Sequence, residues 1–262
     1  MTDHPVSILI ANYDGREALE LCVESVLART ASNEPVHIIV YDSPASGHDR
    51  PYLERMADDG KLTLIAGTED MMHGPAVWRL LSERMSEWVV IIDSDCEIRD
   101  RTWLRFMFSC VEDEASDIGV SKLRQGGALF KGELLTPYYW LACMLLNAEQ
   151  YFTHGGRLID WPEQYMPYAD YRGPFDFKRH MTEGVTTQAW HVGIDTGGIF
   201  TERLLSGDMQ DCRMRELPPL FWDRYVRHYG GISRNHHRPE HPEIAPRWVE
   251  IKRRLVELRA TA

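Results

Sequence analysis

Apolar positions along this chain follow two spacings that alternate. Short continuous runs at Val6–Ala11, Val36–Tyr41, Leu62–Ala66 and Trp88–Ile92 read as buried strands. Between them the apolar residues recur at helical spacing. Ala18, Leu19, Cys22, Val23, Val26 and Leu27 form one such stripe, and Ala76, Val77, Leu80, Leu81 and Met85 another. Trp103, Leu104, Met107, Phe108 and Val111 form a third. This alternation runs to about residue 115 and predicts an α/β fold, a mostly parallel central sheet flanked by helices with right-handed crossovers.

Beyond Leu123 the texture changes. Residues 125–190 are rich in aromatics, Pro and Gly with weak periodicity, as in Trp161-Pro-Glu-Gln-Tyr-Met-Pro167, which reads as irregular binding loops. The longest apolar stretch, Leu134 to Leu146, is too short to span a bilayer and reads as a core or cleft-lining helix. Pro246 to Arg259 reads as one amphipathic helix, with Trp248, Ile251, Leu255 and Leu258 inward and Arg247, Lys252, Arg253 and Arg254 in solvent. The chain divides at about residue 124 into two halves, 1–124 and 125–262, of the same globular unit.

Carboxylates follow the strand-like runs. Asp14 comes after the first and Asp42 after the second, and Asp93-Ser94-Asp95 ends the run that starts at Trp88. The C-terminal ends of parallel strands share one rim, so these acids can surround one crevice, where open α/β sheets bind ligands. Crowded carboxylates repel unless a cation lies between them, and oxygen ligands suit Mg2+ or Mn2+. Plainer readings stand beside these. Asp14, three residues before Glu17, fits a capping box; Asp42 before Ser43-Pro44 fits a turn; Ser94 or Asp95 can cap a helix.

Composition narrows the partners. At 262 residues with a net charge of −11, a nucleic-acid surface is not expected, because phosphate backbones are bound through Lys and Arg. The five cysteines are scattered without a C-x-x-C pair, which argues for a reducing compartment and against a zinc site or disulfide framework. With a strand-like run beginning within the first residues and no membrane-spanning stretch, a cytoplasmic location is expected. The loop Ala11-Asn-Tyr-Asp-Gly15 lacks G-x-G-x-x-G, and neither a P-loop nor a G-x-S-x-G elbow occurs.

Taken together, Val6-Ser-Ile-Leu-Ile-Ala-Asn-Tyr-Asp14, Ile38-Ile-Val-Tyr-Asp42, His73-Gly-Pro-Ala76, Ile91-Ile-Asp-Ser-Asp95 and His228-Tyr-Gly-Gly-Ile-Ser233 resemble the family 2 glycosyltransferases of the GT-A fold. The resemblance covers about residues 5–110 closely and 190–234 more loosely. It implies a metal-dependent, inverting transferase that moves a sugar from a nucleoside diphosphate sugar to an acceptor hydroxyl. The first half would bind the donor and the second the acceptor. Asn12, Asp14 and Asp42 would hold the base, with His73, Gly74, Asp93 and Ser94 also against the donor. Asp93, Asp95 and His228 would coordinate Mn2+ or Mg2+, and Asp195 would be the base, with Asp208, Asp211 and Glu216 as rivals.

Where the family often has Asn in the first loop, this chain has Asp14, and Ile194 stands where an acid usually precedes the base. The acceptor implied is a carbohydrate or small molecule meeting the aromatic region 125–190, a modified DNA base being remote. Two other readings remain. A sugar-nucleotide nucleotidyltransferase wants a Gly-rich basic loop, whereas Asn12-Tyr-Asp-Gly15 is followed only by Arg16. A non-catalytic nucleotide- or carbohydrate-binding module would be marked by loss of Asp95 or of the base, and neither is clearly lost.

Overall fold

The computed structural model describes residues 4–30, 34–44, 47–68, 73–124, 128–130, 133–135, 138–153, 212–230, 232 and 242–261. The four apolar runs form β1 (Val6–Asn12), β2 (Val36–Asp42), β3 (Thr63–Ala66) and β4 (Trp88–Asp93). They lie parallel, β1 pairing with β2 and β4, and β2 with β3. Helices α1 (Glu17–Arg29), α2 (Arg50–Asp58) and α3 (His73–Ser82) make the crossovers. Val6, Ile8, Ile10 and Val40 face one apolar layer and Leu9, Ile39, Val89 and Ile91 the other, so period-2 alternation fills both faces.

After β4 the chain forms the short β5 (Cys96–Ile98), α4 (Trp103–Ser109), β6 (Asp117–Arg124), and a hairpin of β7 (Ala128–Phe130) and β8 (Glu133–Leu135). Then come β9 (Tyr138–Asn147) and α5 (Ala148–Thr153). Further on lie β10 (Arg213–Glu216), a π-helical turn at Phe221–Tyr225, β11 (Val226–His228) and α6 (Ala245–Thr261). The main sheet has the order β10-β6-β9-β4-β1-β2-β3, in which β9 alone runs antiparallel to its neighbours.

β9 corrects the expectation of a helix at Leu134–Leu146. Its Leu141–Leu146 segment is buried throughout between β4 and β6. A continuously apolar run has no period to distinguish strand from helix, and pairing on both edges decides for strand. β6 approaches β9 closely at Gly119, where a Cβ would come within 2.2 Å of the Leu145 carbonyl oxygen.

α6 matches the amphipathic pattern: Trp248, Ile251, Leu255 and Leu258 are buried with Ala18 and Leu21 of α1 in a third apolar cluster. Its charged side is less uniformly solvated than expected. Arg254 turns inward to Glu97, with Nε at 2.8 Å and Nη2 at 2.5 Å from Oε1. All five cysteines are free thiols. Among the described residues no helix is long and apolar enough to cross a membrane.

Candidate active site

The parallel strands end on one rim, and the loops there hold the expected acids in two adjoining networks. The first is built on Asn12, the last residue of β1. Its Nδ2 donates to Asp42 Oδ1 at 2.8 Å and to Asp49 Oδ2 at 2.9 Å, while its Oδ1 accepts the Gly15 N–H at 3.1 Å. Asp42 is fully buried, and its other oxygen accepts from Arg50 Nε at 2.5 Å. Asp42 therefore anchors β1 and α2 to one another from beneath the rim.

The turn between β1 and α1 is strained. Asp14 and Arg16 have φ of 51° and 50° although neither is glycine. Arg16, with ψ −133°, rather than Asp14, occupies the cap of α1, and the cap makes no side-chain hydrogen bond. The capping-box alternative for Asp14 thus does not hold, because the turn carries the chain two residues further before the helix starts. Asp14 lies 3.4 Å from Arg16 Nε and 3.5 Å from His48 Nδ1. The Arg16 N–H donates to Asp49 Oδ1 at 2.9 Å.

Asp49 is the residue of this network that sequence reasoning missed. It sits between Arg16 and Asn12, and burial pushes its carboxyl up to about 6, with Asp14 and Asp42 adding to the rise and the two hydrogen bonds opposing it. The only local signal was an acid before Arg50-Pro51 at the start of a helix, which is common in turns.

The second network gathers at the end of β4. β11 pairs antiparallel with β5, setting His228 opposite Cys96, one residue past the D-x-D run. His228 Nε2 lies 2.9 Å from Asp95 Oδ1 and 3.4 Å from Asp93 Oδ2, and His73 Nε2 lies 3.2 Å from Asp93 Oδ1. Asp93, Asp95 and His228, expected as metal ligands, and His73, expected against the donor, thus meet. Asp95 is held from three sides, since its Oδ2 also accepts the Ile232 N–H at 3.2 Å and its carbonyl the Tyr229 N–H at 3.0 Å. Ser94 is buried between the two acids, and Gly74 follows His73 in α3.

The electrostatics of the cluster are those of charges in contact. Burial opposes ionisation of Asp93, yet hydrogen bonds from His228 and His73 hold it well below the usual carboxylate range. Burial likewise opposes protonation of His228, but Asp95 and Asp93 push it up to about 10. A divalent cation could satisfy the same pair of carboxylates, and its binding there would displace the imidazole proton.

Asp95, Cys96 and His228 also bring ligand atoms within 4.8 Å of one another. Burial keeps the Cys96 thiol protonated, however, and it donates to the Ala142 carbonyl at 3.2 Å. That leaves Asp95 and His228, and with Asp93, 3.4 Å from the same imidazole nitrogen, the donors are two carboxylates and one imidazole, a set suited to Mn2+ and, through its oxygens, to Mg2+.

Glu97, two residues past Asp95, ties this cluster to the third apolar cluster. Its Oε2 accepts from Tyr229 OH at 2.8 Å, and its Oε1 pairs with Arg254 of α6. Tyr229 neighbours His228, so α6 braces the strand that carries the imidazole. Asp195 lies outside the described residues, as do Asp208 and Asp211; Glu216 ends β10, paired with Ser121.

The sequence pattern of glycosyl transferase family 2 matches residues 7–166, more than half of the chain. Comparison with curated protein sequences gives no match. Among solved structures, S. aureus TarS aligns with a TM-score of 0.54 at 13% identity over 85% of this chain and 36% of that one. TarS 1-349 in complex with UDP aligns with a TM-score of 0.51 at 11% identity over 85% of this chain and 59% of that one. The mannosyltransferase PcManGT from Pyrobaculum calidifontis, in complex with GDP-Man and Mn2+, gives a TM-score of 0.47 at 20% identity over 59% and 48%. The chain thus spans between about a third and three fifths of these structures' own lengths. At such identities the likeness to TarS is one of fold. With the family pattern across most of the sheet and the GT-A arrangement of that sheet, the chain belongs to glycosyl transferase family 2.

Proposed function

We propose that the chain transfers a sugar from a nucleoside diphosphate sugar to an acceptor hydroxyl, dependent on Mn2+ or Mg2+ and with inversion at the anomeric carbon. The observation that carries this reading is the convergence of Asp93, Asp95 and His228 at the end of β4. It lies beside the Asn12–Asp42–Asp49 network at the ends of β1 and β2. The similar fold of TarS with UDP supports a nucleoside diphosphate as the group that lies across both.

Asp93, Asp95 and His228 would hold the cation, which when bound supplies positive charge against the departing diphosphate. Asn12 and Asp42 fix the floor beneath the nucleoside, and the turn at Asp14 forms its edge. His73, already against Asp93, supplies a further hydrogen-bonding group on the donor side. Asp195, assigned by the family resemblance, takes the acceptor hydroxyl proton as that oxygen bonds to the anomeric carbon and the bond from carbon to diphosphate oxygen breaks. One displacement with one base inverts the carbon.

A thermal-shift screen of UDP-, GDP-, dTDP- and CDP-sugars with and without Mn2+ tests the reading. Stabilisation by one of them that requires the metal is expected. Equal stabilisation without metal, or none with any donor, would contradict it.

A further inference from the structure

Next to the cation cluster, on the side away from the Asn12 network, lies a cleft of about 380 Å3 whose chemistry the donor does not use. The strand order places it: β1 and β2 lie on one flank of β4, and β9 and β6 on the other. Lys122 of β6 stands opposite Trp140 of β9, and both line the cleft with Trp222, Arg99, Arg227 and His228. His228 is shared, so the cleft opens directly onto the cation cluster.

The lining has a sign. Three cations face one carboxylate, Asp223, in a chain whose net charge is −11. Arg99 donates to the Asp223 carbonyl at 3.3 Å, which leaves its charge unneutralised by that bond. Arg227 lies 3.2 Å from Glu250 Oε1. Lys122 makes no ion pair among the described residues; its Nζ stands 5.6 Å and 5.5 Å from the ring centres of Trp140 and Trp222.

The two indoles stack on each other at 5.1 Å, and Trp140 meets the His228 imidazole edge-on at 4.6 Å. An aromatic wall around cations excludes water and strengthens their hold on an anion. The same wall suits the C–H faces of a sugar or polyol.

We propose that this cleft is an acceptor subsite for an anionic hydroxyl compound, a sugar or polyol bearing phosphate or carboxylate, with Lys122 and Arg227 holding the anionic group. The inference rests on the transferase reading above and specifies the acceptor's charge.

Tryptophan-fluorescence titrations with glucose 6-phosphate, glucuronate, glucose and inorganic phosphate test it, in the presence of Mn2+ with UDP or GDP at saturation. Glucose 6-phosphate is expected to bind alongside the nucleotide, and glucose about tenfold or more weakly. Lys122→Gln and Arg227→Gln should each weaken glucose 6-phosphate about tenfold and leave nucleotide binding unchanged. Comparison of glucose 6-phosphate with glucuronate separates the two anionic groups. Displacement of glucose 6-phosphate by the nucleotide would overturn the proposal, and so would equal binding of charged and neutral sugars or indifference to both substitutions. If neither nucleotide binds, the donor reading fails, while the phosphate titrations on wild type and both variants still decide for or against the anionic cleft.

Discussion

His228 Nε2 stands 2.9 Å from Asp95 Oδ1, although the two residues come from distant parts of the chain. The contact is set by backbone pairing, because β11 lies antiparallel to β5 with His228 opposite Cys96. Anything that loosens β11 from β5 therefore moves the imidazole relative to the D-x-D carboxylates.

Arg254→Ala is expected to do this. It removes the partner of Glu97 Oε1 and leaves a buried carboxylate held, among the described residues, only by Tyr229. With Arg254 itself partly exposed, the loss should be about 2–3 kcal/mol, below that of a wholly buried pair. Denaturant unfolding of Arg254→Ala, Glu97→Gln and the double variant checks it. A double variant more stable than Arg254→Ala alone is expected; strictly additive losses would contradict the pairing.

Asp49 gives the chain a pH dependence. Its carboxyl is raised from 3.8 to about 6, so the folded state holds the proton more tightly than the unfolded chain. Its stabilising contribution is therefore full below about pH 4 and is lost as pH rises through about 6, on the order of 2–3 kcal/mol. Asp49→Asn has no such titration. The stability of wild type minus that of Asp49→Asn should fall between pH 4 and 6, and a flat difference would contradict the assignment.

The first turn offers two opposed substitutions. A Cβ on Gly15 would stand 2.7 Å from Asn12 Oδ1, so Gly15→Ala should displace Asn12 and weaken nucleotide binding and stability together. Arg16→Gly relieves a non-glycine φ of 50° and should raise stability by about 1 kcal/mol. Thermal unfolding of the two variants distinguishes them by the sign of the change.

Asp195→Asn is expected to lower transfer by about a hundredfold or more while leaving donor affinity unchanged, as when only a proton acceptor is lost. Donor binding weakened as much as transfer would move the base to Asp208, Asp211 or Glu216.

The rim was legible because hydrophobic runs and the acids that end them are local features. Val6–Ala11 and Trp88–Ile92 carry their strand character in their own residues, and Asp42 and Asp93 follow from where such runs stop. Three features depend on tertiary contacts, and their local sequence does not single them out. Leu141–Leu146 becomes a strand because β4 and β6 flank it. Asp49 matters because Asn12 and Arg16 donate to it from another loop. Arg254 reads as one more solvated charge on α6 until Glu97 is found beneath it. His228 was reached through the H-x-G-G-x-S resemblance, and no spacing within the chain tied it to Asp95.

The central claim is that Asp93, Asp95 and His228 hold a divalent cation that carries the donor diphosphate. Electron paramagnetic resonance titration of Mn2+ into wild type and Asp95→Asn, each with and without UDP or GDP, addresses it most directly. Wild type is expected to bind one Mn2+ more tightly when the nucleotide is present, and Asp95→Asn to lose both the site and the coupling. Mn2+ binding that is unaltered in Asp95→Asn, or that neither nucleotide changes, would contradict it.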